Sequence, residues 1–499
     1  MDEIKEHIRN GIKHAVKSSA QSTANAAFIT EEQRQVLVGK QEEFFGLKSE
    51  KLTEEFIQRQ LGYAAVEVHQ AHLKQLKAIY QPINSTSDFF AEQRIRFFDI
   101  TRWVADPEEK GTDKLVNVYH VLSGEECSIA LIYHRSEESC RVTLAVANLD
   151  ERNSDPTYVE MLCLRMEKAL RGNFPGARTR KDENGELLKG DPLRTVMRPT
   201  NETPSVAIVS NIPSEKSADF VSQSMEKLLD GIVPQTASEE YTLVLLANPL
   251  QDHLARENRL CQLHSALTPY ASYQQNYGYS ENSGQTGSAN IGASTGIGVG
   301  VGVSAGVTAH VDINFGLQFS RQSSVSAQVG KNEGFTQNYA NYGVKHTQDL
   351  IEKQVKRIEE SSALGMWEFA AYVISEDPVI TNNVAHMYLA LTQGEDSYLL
   401  RTAINLWIGQ DKDECNAADT IVRAVRNLQH PVFTLQLSDD SIENESRLFY
   451  PVQTQATSIL SGKELARALN FPRRAVSGFP VFECTAFGRN VTTLDEGCC

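Results

Sequence analysis

Along residues 295–320 the chain reads TGIGVGVGVSAGVTAHVDINFGLQFS, and the period is strictly two. Every odd position from Ile297 to Phe319 is apolar, and every even position from Gly298 to Ser320 is glycine or polar. Such alternation specifies a strand with one apolar face. A single strand of about 24 residues would run roughly 80 Å at about 3.3 Å per residue, well past the usual length. A hairpin satisfies the same pattern, provided the loop has an odd number of residues so that parity survives the turn. Ser304-Ala305-Gly306 is such a loop, with Gly306 supplying the left-handed residue of a type I turn plus bulge. That register pairs Val303 with Val307, Val299 with Val311, Ile297 with Ile313 and Ile291 with Phe319. The expected assembly face carries Ile297, Val299, Val301 and Val303 on one arm. Val307, Val311, Ile313, Phe315, Leu317 and Phe319 stand on the other.

Elsewhere the pattern changes its period. Residues 1–85 read as a helical N-terminal arm, with Leu61, Ala64, Ala65, Val68, Leu73 and Leu76 at three- and four-residue spacing. From about 90, short β-branched runs predict strands at 94–103, 114–122, 127–134 and 140–149. A helix is predicted at 156–172, a strand at 206–212, a helix near 215–230, a strand at 241–250 and a helix from about 251 to 272. After the glycine-rich stretch come a helix at 346–362, a strand at 366–375, a helix at 377–392, a strand at 402–407, a helix at 415–428 and a strand at 432–437. Strands first, then strands alternating with helices, predict an α+β fold with a mixed sheet. The domain spans 90–275 and 346–440, interrupted by a Gly/Ser-rich β-hairpin insertion at 279–345 between two long helices that act as stalks. Residues 448–499 are expected to be a C-terminal linker segment. In it Ser461 and Glu464 form a capping box that opens a short helix.

An isolated hairpin is marginal in water, so its apolar face needs a cover. The sequence leaves three: assembly with other copies or packing on the chain itself, a mobile loop, or a bilayer. Between Glu281 and Arg321 the only formally charged residue is Asp312, which suits burial of either kind. The arm length also matches the roughly 9–11 residues of a membrane strand.

Composition narrows the classes. The chain has 499 residues, 41% of them apolar and 22% charged, which argues for two or three globular domains. A net charge of −16 disfavours the bulk surface as a nucleic-acid footprint and leaves only a local basic groove open. No run of about eighteen apolar residues predicts a membrane helix. The N-terminus lacks a signal-peptide pattern, and eight cysteines occur without CxxC spacing, so reduced thiols and a cytoplasmic location are expected.

Candidate chemistry is sparse. GVSAG (302–306) matches G-x-S-x-G, but strand rather than helix follows it. SILSGKE (458–464) has a Gly-Lys, but Thr457 replaces the first glycine of a phosphate loop and Glu464 replaces its Ser/Thr. His69 and His72 in HQAH could ligate a metal, but lack HExxH spacing and a third ligand, so a solvated helix face is expected. The basic runs RTRK (178–181) and PRRAV (472–476) are too short for nucleic acid by themselves. No catalytic residue, cofactor site or metal site is read.

Three segments together carry a resemblance: residues 354–407, residues 459–491 (ILSGKELARALNFPRRAVSGFPVFECTAFGRNV) and the Gly/Ser-rich insertion before them. They resemble the region preceding the motor in bacterial ATP-binding proteins of the HerA/FtsK superfamily, which includes HerA-like helicases and conjugative-transfer ATPases. The resemblance implies a non-catalytic scaffold or assembly region of a DNA translocase or secretion ATPase, working as a homo-oligomer. Its partner would be an ATPase motor domain or chain, and DNA would be reached through that motor. The chain stops at Cys499, where the resemblance places the motor, and none of the family's phosphate, magnesium or arginine-finger residues has a counterpart. The runner-up is a β-hairpin-inserting pore-forming or secretion-system component, which would touch a membrane.

Overall fold

The structure is a computed structural model that describes residues 54–84, 90–105, 111–198, 202–214, 225–278, 291–292, 326–329, 334–436 and 450–483. The chain enters through α1 (Glu54–His69), a 3-10 turn (Ala71–Gln75), α2 (Leu76–Ile79) and β1 (Tyr80–Ile83). Next come α3 (Ala91–Arg94), β2 (Ile95–Ala105), α4 (Gly111–His120), β3 (Cys127–Arg135), β4 (Cys140–Asn148) and α5 (Pro156–Asn173). Two short strands, β5 (Arg178–Arg180) and β6 (Leu188–Lys189), precede β7 (Ser205–Ser210), α6 (Glu226–Gly231), β8 (Tyr241–Pro249) and α7 (His253–Ala271). The insertion holds β9 (Ser272–Gly278), β10 (Ile291–Gly292), β11 (Ser326–Val329) and β12 (Gly334–Ala340). The chain returns through α8 (Tyr342–Ser361), β13 (Met366–Ser375), α9 (Pro378–Thr392), β14 (Ala403–Trp407), α10 (Cys415–Arg426) and β15 (Val432–Leu435). It closes with β16 (Gln453–Gln455), β17 (Ser458–Ser461), α11 (Gly462–Ala468) and β18 (Val481–Glu483).

The fold is α+β. Its central sheet runs in the order β14-β7-β13-β8-β3-β4-β2-β18, with β17 also on β13 and β5 and β6 also on β2. All its pairs are antiparallel except β2 with β18. Strand β13, which follows the insertion, lies between β7 and β8, which precede it. The two halves of the chain therefore make one sheet, and the insertion leaves and rejoins it.

Both faces of this sheet are covered, so its strands are continuous apolar runs, not alternating ones. Odd residues of β13 (Trp367, Phe369, Ala371, Val373) join the core beneath α4, α5, α7, α8, α9 and α11. Even residues (Ala370, Tyr372, Ile374) join a second core with α10, the 71–79 turns, β1 and β15. Helix starts follow capping chemistry: Asp155 before Pro156 and Asp377 before Pro378 accept from Thr157 and Val379 amides, with proline preset for the first turn.

Three expectations change. Residues 114–122, read as a strand, are largely helix α4: Leu115, Val116, Val118, Tyr119 and Leu122 are all buried, a three- and four-residue spacing that short valine-rich runs disguise. The described part of the N-terminal segment is no free arm. Helix α1 buries Leu61, Ala64, Ala65 and Val68, and β1 pairs with β15. The expected C-terminal linker is woven in: β17 pairs with β13, and Trp103 stacks on Phe471 with ring centroids 3.9 Å apart.

Candidate functional site

Helices α7 and α8 pack side by side and continue without a break into strands β9 and β12. The hinge bond is Asn341 N–H to Ala271 C=O, 3.1 Å, after which Ser272 faces Ala340 and the register runs on to Gly278 facing Gly334. Within the helix pair, Gln348 Nε2 donates to Thr268 Oγ1 (3.0 Å), and His264 Nε2 meets Glu352 Oε1 (3.2 Å). Asn341 caps α8 by accepting from the Val344 amide. The two long helices expected near 251–272 and 346–362 are thus observed at 253–271 and 342–361, flanking the insertion. A strand ribbon of seven residues a side extends this stalk by about 23 Å at about 3.3 Å per residue.

The α7/α8 pair is held to the core by apolar packing (Leu260, Leu267, Ile351 and Ile358 among others) and by charge. Arg357 on α8 grips Glu464 on α11 in a two-pronged pair, Nε to Oε1 2.7 Å and Nη2 to Oε2 2.6 Å, with both side chains about one-tenth exposed. The same guanidinium donates to Gln354 Oε1 and to the Ile459 carbonyl. Gln354 in turn donates to Leu399 and Val68 carbonyls. On α7, Arg256 donates to the Glu67 carbonyl of α1 at 2.9 Å. Burial works against Arg256's charge, partly offset by Glu67 and Glu368, while burial pushes the Glu368 carboxyl up. A charge-assisted fork of this kind is geometrically specific, so the stalk meets the core at one angle.

Four antiparallel strands form the sheet at the far end, in the order β10-β9-β12-β11. Both β10 and β11 run against the strand they flank, so the two edges run in opposite directions. Residues Tyr277 and Phe335 face each other, as do Tyr273 and Tyr339. Ile291, which the hairpin register paired with Phe319, has Tyr277 as its neighbour on the described side. The residues expected to form the assembly face, Ile297 to Phe319, lie outside the described residues, as does GVSAG.

The other sequence candidates resolve into structure. In SGKE, the capping box stands: Ser461 Oγ accepts from the Glu464 amide, and Ser461 N–H donates to Glu464 Oε2 at 2.7 Å. The Gly462 amide donates to Gly365 C=O. Amides that a phosphate loop would turn toward phosphate are thus already engaged. His69 and His72 are not a turn apart on one helix, because Gln70 adopts a left-handed φ of 48° and ends α1. His72 is not solvated: it is buried, bonds Thr454 Oγ1 at 3.1 Å, and burial lowers its pKa to about 3. No group of three or more metal-ligating side chains occurs among the described residues. The 178–181 run is also structural. Arg180 and Arg141 both hold Asp99, whose burial would raise it, and with Thr143 they keep its carboxyl below the usual range. Lys181 pairs with Glu167 at 2.9 Å.

The sequence could announce the stalk through helix period and capping. It could not announce Arg357–Glu464, a pair 107 residues apart with no local signal. Among the described residues no helix is long and apolar enough to cross a membrane. Comparisons with protein-family models, with curated proteins and with solved structures find no match.

Proposed function

We propose that the chain is a non-catalytic scaffold that presents its glycine-rich alternating segment on a rigid stalk for assembly with other copies. The observation that carries this reading is the unbroken passage of the α7/α8 pair into the β9/β12 ribbon, fixed at its root by Arg357 and Glu464. Segment 293–325 leaves and rejoins a four-stranded sheet whose edges point in opposite directions. One copy's β10 edge meeting the next copy's β11 edge continues the antiparallel pattern, which is the head-to-tail relation that closes rings. The setting is the cytoplasm, beside an ATPase motor of the HerA/FtsK kind with DNA or a secreted protein as its cargo. That setting rests on the resemblance of 354–407 and 459–491.

A pore-forming or secretion-component reading is favoured by one further observation. Residues 282–320 carry Asp312 as their sole formal charge, and 297–320 alternate apolar residues with glycine or polar ones. Strands that alternate apolar with polar residues and carry few charges suit a bilayer barrel. Replacing 293–325 with a short Gly/Ser linker separates the two. The scaffold reading expects a shift to smaller species in analytical ultracentrifugation, with no dye release from liposomes by either protein. Release by the wild type alone would replace it with the pore reading. Equal mass for both proteins, without release, would remove both.

A further inference from the structure

Helix α1 packs across both stalk helices, α7 and α8. A helix end leaves its last carbonyls without intrahelical partners. In α1 each of the last four accepts from a different part of the chain. Val66 C=O takes the Gln70 amide at 3.0 Å, and Glu67 C=O takes Arg256 Nη2 of α7 at 2.9 Å. Val68 C=O takes Gln354 Nε2 of α8 at 3.4 Å, and His69 C=O takes the Arg401 amide at 3.0 Å. The helix before the insertion and the helix after it thus both cap α1.

Two features make this end a joint. Gln70, just past the helix, holds a left-handed φ of 48°, where a non-glycine residue is strained. Its side chain reaches Thr457 C=O (3.1 Å) and its own carbonyl accepts from the Leu73 amide (3.0 Å), so the surroundings hold the turn in place. The second feature is a run of polar contacts from Glu464 through Arg357 to Gln354 Oε1, which aims the Gln354 amide at the Val68 and Leu399 carbonyls. The Arg256 guanidinium also complements the negative end of the helix. Withdrawing α7 and α8 leaves the Glu67 and Val68 carbonyls unpaired. Moving α1 takes an acceptor from Arg256 and another from Gln354. Both changes are costly at buried groups.

We propose that α1 is a strap across the root of the stalk, which engages and releases as one cooperative unit with the α7/α8 pair. Coupling between two sites is reciprocal, so whatever takes hold of α1 loosens the stalk, and whatever fixes the stalk fixes α1. The strap goes beyond the assembly reading and stands whether or not copies join through the insertion.

Hydrogen exchange of the full-length protein, followed peptide by peptide, tests it. Gln354→Leu on α8 is expected to speed exchange at least tenfold in α1 as well as in the root turns of α7 and α8. Strands β3 and β4 and helix α10 should keep wild-type rates. Gln354→Asn, one methylene shorter, serves if leucine disturbs folding. In the reverse direction Leu61→Ala, at a buried position of α1, should speed the same root turns of α7 and α8. Arg423→Ala, in an exposed pair with Asp419 on α10, should change nothing. Acceleration confined to the helix that carries the substitution, acceleration spread evenly over the central sheet, or no change in either variant would overturn the proposal.

Discussion

Strand β8 reads YTLVLLANP, and strand β9, one helix later, reads SYQQNYG. The first lies at the middle of the central sheet with β3 and β13 on its edges and a core on each face, so nearly every position is apolar. The second has three amides in seven residues (Gln274, Gln275 and Asn276) and belongs to a sheet of four strands with two unfilled edges among the described residues. Strands at the middle of the central sheet have a partner on each edge. Among the described residues the outer strands of the stalk sheet have one neighbour each, and the alternating segment between them concentrates its apolar residues on one parity. On the proposed assembly reading, that apolar parity is a contact surface. The comparison predicts that perturbations of the core cost stability, whereas perturbations of the insertion cost assembly.

The largest stability effect should come where the two regions join. Arg357→Ala leaves Glu464 buried without its counter-charge, and breaking one side of such a pair costs about 3–5 kcal/mol. Chemical denaturation should show that loss, and Arg357→Lys should recover only part of it, because one ammonium cannot reproduce the fork. A loss of under about 0.5 kcal/mol, the scale of ordinary surface substitutions, would mean the root is not fixed by this pair.

Acid should weaken the core next. His72 and His430 are buried and neutral, with pKa lowered to about 3 by burial, against about 6.5 in the unfolded chain. Below pH 6.5 the unfolded state takes up protons that the folded state refuses, so stability falls as pH drops from about 6.5 toward 3. Each histidine contributes a slope of about 1.4 kcal/mol per pH unit in that window. Denaturation at pH 7.5 and 5.5 checks this, and His72→Gln or His430→Gln should flatten the fall.

Smaller still is Ser461→Ala, which removes one capping acceptor and should cost about 1 kcal/mol in the same denaturation assay. Smallest is the 293–325 linker replacement, since long surface insertions carry little loop entropy: the thermal midpoint of the core should hardly move. A cooperative melt lost in that variant would place the insertion in the core and erase the contrast drawn above.

The same contrast decides what could be read from the sequence. Met366–Ser375 was legible to the residue, because a strand buried on both faces between helix signals has few alternative readings. The capping box at Ser461 and Glu464 was legible because it is local. Helix α4 was misread since Val116 and Val118 imitate a strand when taken without Leu115, Tyr119 and Leu122. His72 was misread because its helix is broken by the backbone of Gln70, a residue with no turn signature. The tie of 450–483 into the sheet depends on contacts between distant residues, which no local period records.

The central claim is that the apolar parity of 297–319 joins copies of the chain. Light scattering on the wild type, Val301→Asp and Gly300→Val tests it most directly. A charge on the apolar parity is costly unless water reaches it, while a valine on the glycine parity adds only bulk. The account predicts that Val301→Asp falls to smaller species and that Gly300→Val keeps the wild-type mass. Identical masses for all three proteins would contradict it.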